Sequence, residues 1–251
     1  MIDVFENRPE LFLGLGALVA MLIYNALKDR SDGRKQRRGE ALDGRMTIYN
    51  RTLVFLWTLA GACTISWIWS GGTLAELGFR NPQGWQAWFS WGIVGLFLVY
   101  LIWSLAQVMM SRKAREDVRR QIRSSGDVNL LIPENAAEHR RFQWLSITAG
   151  VTEEIVFRGF LISVFALALP AWAAAIAATL IFVIAHAYQG LAGMARILPI
   201  SAAFALVYVV GGSLWPVILL HILADAMAGL VVAITQNHAD RDSAYTEPVQ
   251  A

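Results

Sequence analysis

Four long stretches of this sequence contain no Asp, Glu, Lys or Arg. They run through residues 52–75, 81–111, 159–195 and 197–224. A helix needs roughly 20 mostly apolar residues to cross ~30 Å of hydrocarbon, so each stretch can supply one crossing and the third can supply more. Only 16% of the 251 residues are charged, whereas soluble domains carry about 25%. This pattern favours a membrane protein over a soluble bundle of fully buried helices.

The same pattern predicts an all-α fold, a polytopic transmembrane helix bundle with about seven spans. The fourth and fifth spans are separated at Pro170, and the turn Gly211-Gly212-Ser213 separates the sixth from the seventh. The predicted spans cover residues 11–27, 52–70, 85–110, 142–169, 170–187, 197–210 and 214–235.

Lys and Arg are concentrated in two of the segments between spans. Residues 28–51 carry eight of them and residues 112–141 carry another eight, whereas residues 1–10 and 71–84 carry one each. Because basic segments tend to stay in the cytoplasm, we expect the N-terminus outside and the C-terminus inside. Topology and contact with anionic lipid head groups explain these segments better than nucleic-acid binding does. The expected location is the inner membrane of a bacterium.

Ionisable side chains within the last four spans fall into three short clusters. Charged groups at bilayer depth are costly and usually mark a functional interior. In the first cluster, Glu154 and Arg158 have the spacing and order of a favourable helical ion pair. Glu153 points ~100° away from Glu154 around the helix and has no obvious charged partner. The clusters are Glu153, Glu154 and Arg158, then Phe182 and His186, then His221 and Asp225.

The first two clusters are expected at the same depth in the membrane. Glu153 precedes Pro170 by 17 residues and His186 follows it by 16, which places both ~25 Å from the turn at ~1.5 Å per residue. His221 follows Ser213 by only eight residues. The same arithmetic puts His221 nearer the outer surface, unless that turn lies deeper or a helix is tilted or kinked.

Taken in order on successive helices, the three clusters resemble the motifs of the CAAX-protease and bacteriocin-processing family. Its members are intramembrane endopeptidases related to the eukaryotic type II CAAX prenyl endopeptidase. The resemblance covers about residues 141–226, and residues 77–82, Leu-Gly-Phe-Arg-Asn-Pro, also resemble a loop of bacterial members. It implies a protease core at residues 131–236, after N-terminal helices with basic loops at 1–130 and before a disordered tail at 237–251.

The resemblance also implies a role for each clustered residue. Glu153 would be the general base that activates water, and His186 would help to hold or polarise that water. His221 and Asp225 would stabilise the oxyanion. The supporting residues would be Glu154, Arg158 and Phe182.

A metal-dependent reaction stays open beside the metal-free one. Glu153, His186 and His221 provide two imidazoles and a carboxylate, which could bind Zn with water completing the shell. The family is described both as metalloproteases and as glutamate-dependent enzymes without a metal. The sequence leaves this choice open.

Two other functions are compatible with the same residues. Buried polar side chains also tie membrane helices together, which would suit a catalytically silent scaffold or an immunity-type protein on the same fold. They also build proton relays, as in a proton-coupled transporter, although the sequence shows no repeated halves. The favoured function is an endopeptidase whose partners are a peptide or protein substrate and the lipid bilayer, without nucleic acid.

Overall fold

A computed structural model describes residues 7–38, 43–123 and 131–244. Within these residues the chain forms helices and no strands, so the predicted all-α fold is confirmed. A π-helical segment, Glu154–Leu161, lies between α5 and α6. The α-helices are α1 (Leu11–Arg37), α2 (Arg45–Trp69), α3 (Gly84–Met110), α4 (Arg112–Arg123), α5 (Ala136–Glu153), α6 (Ile162–Ala166), α7 (Ala171–Ala185), α8 (Gly190–Gly211) and α9 (Leu214–Ala244).

Five helices in the described part of the chain are long and apolar enough to cross a bilayer. They are α1, α2, α3, α8 with the turn before it, and α9, and their outer faces carry exposed apolar side chains such as Val54 and Leu96. The other two predicted spans correspond to α7, an apolar helix of 15 residues, and to the charged segment from α5 to α6. The polytopic helical bundle agrees with the sequence prediction, and the number of spans is close to it.

The predicted fourth span is not a uniform α-helix. It is α-helical up to Glu153, π-helical from Glu154 to Leu161, and α-helical again from Ile162. Every residue of the π-helical segment is buried. Because π-helical turns are rare and occur mostly at functional sites, the change of helix type between Glu153 and Glu154 points to this part of the molecule.

The turn between α8 and α9 lies deep in the bundle. Gly212 ends α8 with a left-handed backbone (φ 61°), and Leu214 begins α9. A Cβ on Gly159 would lie 3.4 Å from Cδ1 of Leu214, so this turn packs at the level of the π-helical segment. It does not lie at the level of Pro170, the turn of the preceding hairpin.

This deep turn removes the mismatch in depth that the sequence left open for His221. Gly159 follows Glu153 by six residues, and His221 follows Leu214 by seven. Since Leu214 packs against Gly159, the chain can bring His221 to the depth of Glu153. No special tilt or kink of α9 is required.

The loop between α2 and α3 holds this turn in place. The carbonyl of Gly78 accepts a hydrogen bond from the amide of Leu214 at 2.8 Å, and Nε of Arg80 donates to the carbonyl of Gly212 at 2.7 Å. The hydroxyl of Tyr208 donates to the carbonyl of the fully buried Leu77 at 3.2 Å. The loop that resembles a segment of bacterial family members is therefore a structural support for the start of α9.

The C-terminal end of α9 extends beyond the last predicted span. Its backbone is helical to Ala244, and thus enters the segment for which a disordered tail was predicted. The rest of that predicted tail, residues 245–251, lies outside the described residues.

Candidate active site

Glu153 meets both membrane histidines at one carboxylate oxygen. Its Oε2 atom lies 3.8 Å from Nε2 of His186 and 3.9 Å from Nε2 of His221. The three side chains are between 10% and 15% exposed, so they are mostly buried but still reach an open space. The structure therefore brings together one residue from each of the three sequence clusters.

Close packing of α5 against α9 makes this meeting possible. A Cβ on Gly150 would lie 2.5 Å from Cγ1 of Ile222 and 2.8 Å from its backbone nitrogen. Gly150 is one turn before Glu153, and Ile222 follows His221 directly. The missing side chain of Gly150 thus lets the two backbones approach where the site requires it.

Glu154 forms a buried ion pair and also orients a histidine. Its Oε1 atom accepts a hydrogen bond from Nη1 of Arg158 at 2.8 Å and lies 2.6 Å from Nδ1 of His221. The side chains of Glu154 and Arg158 are 0% and 2% exposed. The helical pair suggested by the sequence is present, and through Glu154 it is connected to His221 on α9.

Ser201 completes the hydrogen bonding of Arg158. Nη2 of Arg158 donates to the hydroxyl of Ser201 at 2.8 Å and to its carbonyl at 3.1 Å. Ser201 lies in α8, two residues after Pro199. The sequence analysis missed this residue, because a lone serine in an apolar helix carries no spacing that links it to a distant arginine.

Phe182 packs at the centre of the site. The guanidinium of Arg158 lies 4.6 Å from the centroid of the Phe182 ring, and the ring of His186 lies 4.4 Å from it. Phe157 meets Phe182 edge to face at 5.0 Å. Phe204 on α8, which the sequence did not single out, lies 5.8 Å from His221.

Hydrogen bonds at Nδ1 determine what each histidine can do at Nε2. Nδ1 of His186 lies 2.8 Å from the carbonyl oxygen of Phe182, and Nδ1 of His221 faces the Glu154 carboxylate. These oxygens accept hydrogen bonds, so both Nδ1 atoms carry the proton. A neutral ring then presents a lone pair at Nε2, and it donates there only as an imidazolium ion.

Asp225 stands at the open side of the site. Its Oδ2 atom lies 3.7 Å from Nε2 of His221, and its side chain is 41% exposed. Asp225 shares a face of α9 with His221, as their spacing predicts. Its carboxylate is the most accessible of the acidic groups around the histidines.

A cavity of about 750 Å³ opens at these side chains. This volume lies within the range of ligand cavities, roughly 300–1,000 Å³. Glu153, His186, His221 and Asp225 line its inner part, and apolar side chains form most of its walls. The other end of the cavity reaches α1, the start of α2 and residues 131–133.

The spacing of the donors tests the zinc site that the sequence left open. Ligand atoms at about 2.0–2.2 Å from a tetrahedral zinc ion lie roughly 3.3–3.6 Å apart. The observed separations of 3.8 and 3.9 Å are wider, and no group of three His, Cys, Asp or Glu residues in the described part of the chain is placed to hold a metal. The donor types suit zinc but their positions do not, so we assign no reaction step to a metal.

Comparison with known proteins places the clustered residues in one family. A family model described as "Type II CAAX prenyl endopeptidase Rce1-like" matches residues 140–227. No curated protein and no solved structure matches the chain. The matched segment includes all three clusters and Ser201, and the matched family is one of proteases. The part of this integral membrane protein that holds the site is therefore an Rce1-like domain of the CAAX-protease family.

Proposed function

We propose that this protein is an intramembrane endopeptidase in which Glu153 activates water to attack a peptide bond. The observation that carries this proposal is the approach of Oε2 of Glu153 to Nε2 of His186 at 3.8 Å and of His221 at 3.9 Å. Both gaps exceed a direct hydrogen bond, but a water beside each pair can lie at ~2.8 Å from both atoms. The cavity provides room for a peptide next to that water.

In the proposed reaction, the water donates one hydrogen bond to Glu153 and one to the lone pair on Nε2 of His186. Its oxygen then bonds to the carbonyl carbon of the substrate, while Glu153 takes the proton and the carbonyl electron pair moves onto oxygen. When the C–N bond breaks, Glu153 returns the proton to the leaving nitrogen. Glu153 therefore acts first as a base and then as an acid.

His221 stabilises the oxyanion in this mechanism. Because its Nδ1 proton is held by Glu154, His221 donates from Nε2 as an imidazolium ion. The carboxylate of Asp225, 3.7 Å from that nitrogen, stabilises the positive charge. Glu154 and Arg158 position His221 and do not touch the substrate.

The substrate is expected to be a membrane-associated peptide or protein. The mainly apolar cavity suits an extended apolar segment, and the end of the cavity away from the site is lined by Lys28 and Arg51. If basic segments face the cytoplasm, substrates enter from the cytoplasmic side. This corresponds to a protein of the bacterial inner membrane with its N-terminus outside.

One observation supports a scaffold as the second candidate function. The buried contacts among Glu154, Arg158, Ser201 and His221 join the π-helical segment to α8 and α9. Such a network would stabilise a silent membrane protein as well as an enzyme. A scaffold, however, does not need Glu153 to face a cavity between two histidines. No described contact specifically favours the transporter alternative.

The test is cleavage of a panel of quenched fluorescent peptides by the purified full chain in detergent. We expect cleavage by wild type, loss of cleavage in Glu153→Gln and His186→Ala, and wild-type cleavage in Glu116→Gln, an exposed control on α4. Each protein is assayed with and without a chelator and with Zn added back. Wild-type rates in Glu153→Gln would rule out the proposed role of this residue, and restoration by Zn would show that a metal takes part.

A further inference from the structure

The proposed reaction leaves the oxyanion with a single assigned donor, which is His221. Oxyanion sites generally combine several donors that are already aimed at the developing charge. His186 cannot serve as a neutral donor, because its Nδ1 proton is bound to the carbonyl of Phe182 and its Nε2 lone pair faces Glu153. A further donor must come from another side chain of the cavity.

Tyr188 has the required chemistry and position. The chain leaves α7 at His186 and forms a 3₁₀ turn over Ala187–Gln189, which is closed by Gly190 with a φ of 71°. This turn places the ring of Tyr188 5.9 Å from the ring of His186. Tyr188 lines the same cavity as Glu153, so its hydroxyl can meet a substrate that Glu153 attacks.

Gln189 leaves the hydroxyl proton of Tyr188 available. Nε2 of Gln189 donates to the Tyr188 hydroxyl at 3.2 Å, so the hydroxyl accepts this bond and its own proton can be donated elsewhere. Among the described residues, the hydroxyl makes no other hydrogen bond. Gly193 gives Gln189 its room, since a Cβ there would lie 2.4 Å from Cβ of Gln189.

We propose that Tyr188 is a catalytic residue whose hydroxyl donates a hydrogen bond to the oxyanion. This inference rests on the proposed endopeptidase function. As the water oxygen bonds to the carbonyl carbon and its proton passes to Glu153, negative charge collects on the former carbonyl oxygen. His221 and Tyr188 each donate one hydrogen bond to that oxygen. Tyr188 keeps its proton throughout, so the proton balance of the reaction is unchanged.

The experiment compares wild type, Tyr188→Phe, Gln189→Ala and Glu153→Gln on a quenched fluorescent peptide that wild type cleaves. Removal of one oxyanion donor costs about 10²–10³-fold in kcat, so we expect kcat of Tyr188→Phe to fall by about 100-fold while KM changes little. Gln189→Ala should show a smaller fall. Tyr100→Phe is the matched control, because Tyr100 is exposed on α3 away from the cavity.

A second measurement separates oxyanion stabilisation from a structural effect. A peptide with a phosphinate in place of the scissile bond mimics the tetrahedral intermediate, and its affinity should fall in Tyr188→Phe by the same factor as kcat. An unchanged kcat in Tyr188→Phe beside an inactive Glu153→Gln would overturn the role of Tyr188 and leave the proposed function standing. A fall in kcat without a fall in phosphinate affinity would also overturn it. If Glu153→Gln cleaves as fast as wild type, the proposed function itself fails.

Discussion

Nδ1 of His221 lies 2.6 Å from the same oxygen of Glu154 that accepts a hydrogen bond from Arg158 at 2.8 Å. One buried carboxylate oxygen therefore connects the π-helical segment to α9. Through Ser201, Arg158 extends the connection to α8. The shape of the site and the stability of the bundle thus depend on the same contacts, which leads to separate tests of each.

Glu154→Gln should destabilise the protein strongly. Glutamine keeps the shape of the side chain but removes the charge that compensates the buried guanidinium of Arg158. Loss of one partner of a buried ion pair costs about 3–5 kcal/mol. Thermal unfolding in detergent measures the effect.

The double variant Glu154→Leu with Arg158→Met is the control for that prediction. Apolar side chains of similar volume often replace a buried ion pair at little cost in stability. The double variant should therefore unfold closer to wild type than Glu154→Gln does, but it should stay inactive because His221 is no longer oriented. An active double variant would contradict the positioning role of Glu154.

Ser201→Ala should destabilise the protein by about 1.5–3 kcal/mol, the usual contribution of a hydrogen bond to a charged group. The hydroxyl of Ser201 accepts from Arg158 at 2.8 Å, and alanine cannot replace it. Ser90→Ala is the matched control, since Ser90 is also fully buried but its hydroxyl has no partner among the described residues. Equal unfolding temperatures for the two variants would show that the Ser201 bond contributes nothing.

Gly150→Ala should separate α5 from α9 and reduce activity more than it reduces helix content. The added Cβ would lie 2.8 Å from the backbone nitrogen of Ile222, which a change of side-chain rotamer cannot relieve. Gly92→Ala is the control, because a Cβ at this helical position meets no atom within 4 Å. Circular dichroism and peptide cleavage measure the two effects. Full activity in Gly150→Ala would mean that the spacing between Glu153 and His221 is not critical.

Asp43→Asn should remove a pH-dependent contribution to stability. Hydrogen bonds from Arg51 and Lys28 hold the pKa of Asp43 below its ordinary value of 3.8. A carboxyl group with a lowered pKa in the folded state stabilises the protein above about pH 4, and this contribution is lost as the pH falls through the lowered pKa. The unfolding temperatures of wild type and Asp43→Asn should therefore differ at pH 6 by an amount that shrinks below about pH 4.

The exposed control for this measurement is Asp117→Asn. Asp117 pairs with Arg120 on the surface of α4, and exposed ion pairs contribute little. Its unfolding temperature should match wild type across the pH range. A constant difference between wild type and Asp43→Asn at every pH would show that ionisation of Asp43 is not the cause.

Local spacing was enough to predict part of the candidate site. Pairs four residues apart on one helix, such as Glu154 with Arg158 and His221 with Asp225, share a face whatever surrounds them. Counting residues from Pro170 also placed Glu153 and His186 at one depth. These predictions succeed because they rest on helix geometry within one hairpin.

Other features depend on contacts between distant parts of the chain and could not be predicted in this way. The depth of His221 is set by the packing of Leu214 on Gly159 and by its hydrogen bond to Gly78. The contact of Ser201 with Arg158 spans 43 residues. Hydropathy likewise gave one helix from residue 142 to 169, because it does not distinguish an α-helix from a π-helix.

The support of Leu214 by the α2–α3 loop has a consequence for engineering. The family model begins at residue 140, yet Gly78, with a φ of 94°, carries the carbonyl that binds the first amide of α9. We expect that the conserved-looking segment cannot be transplanted as an independent cassette. A chimeric enzyme built from this chain should keep its native second and third helices with the catalytic segment, because the portable unit is larger than the recognisable one.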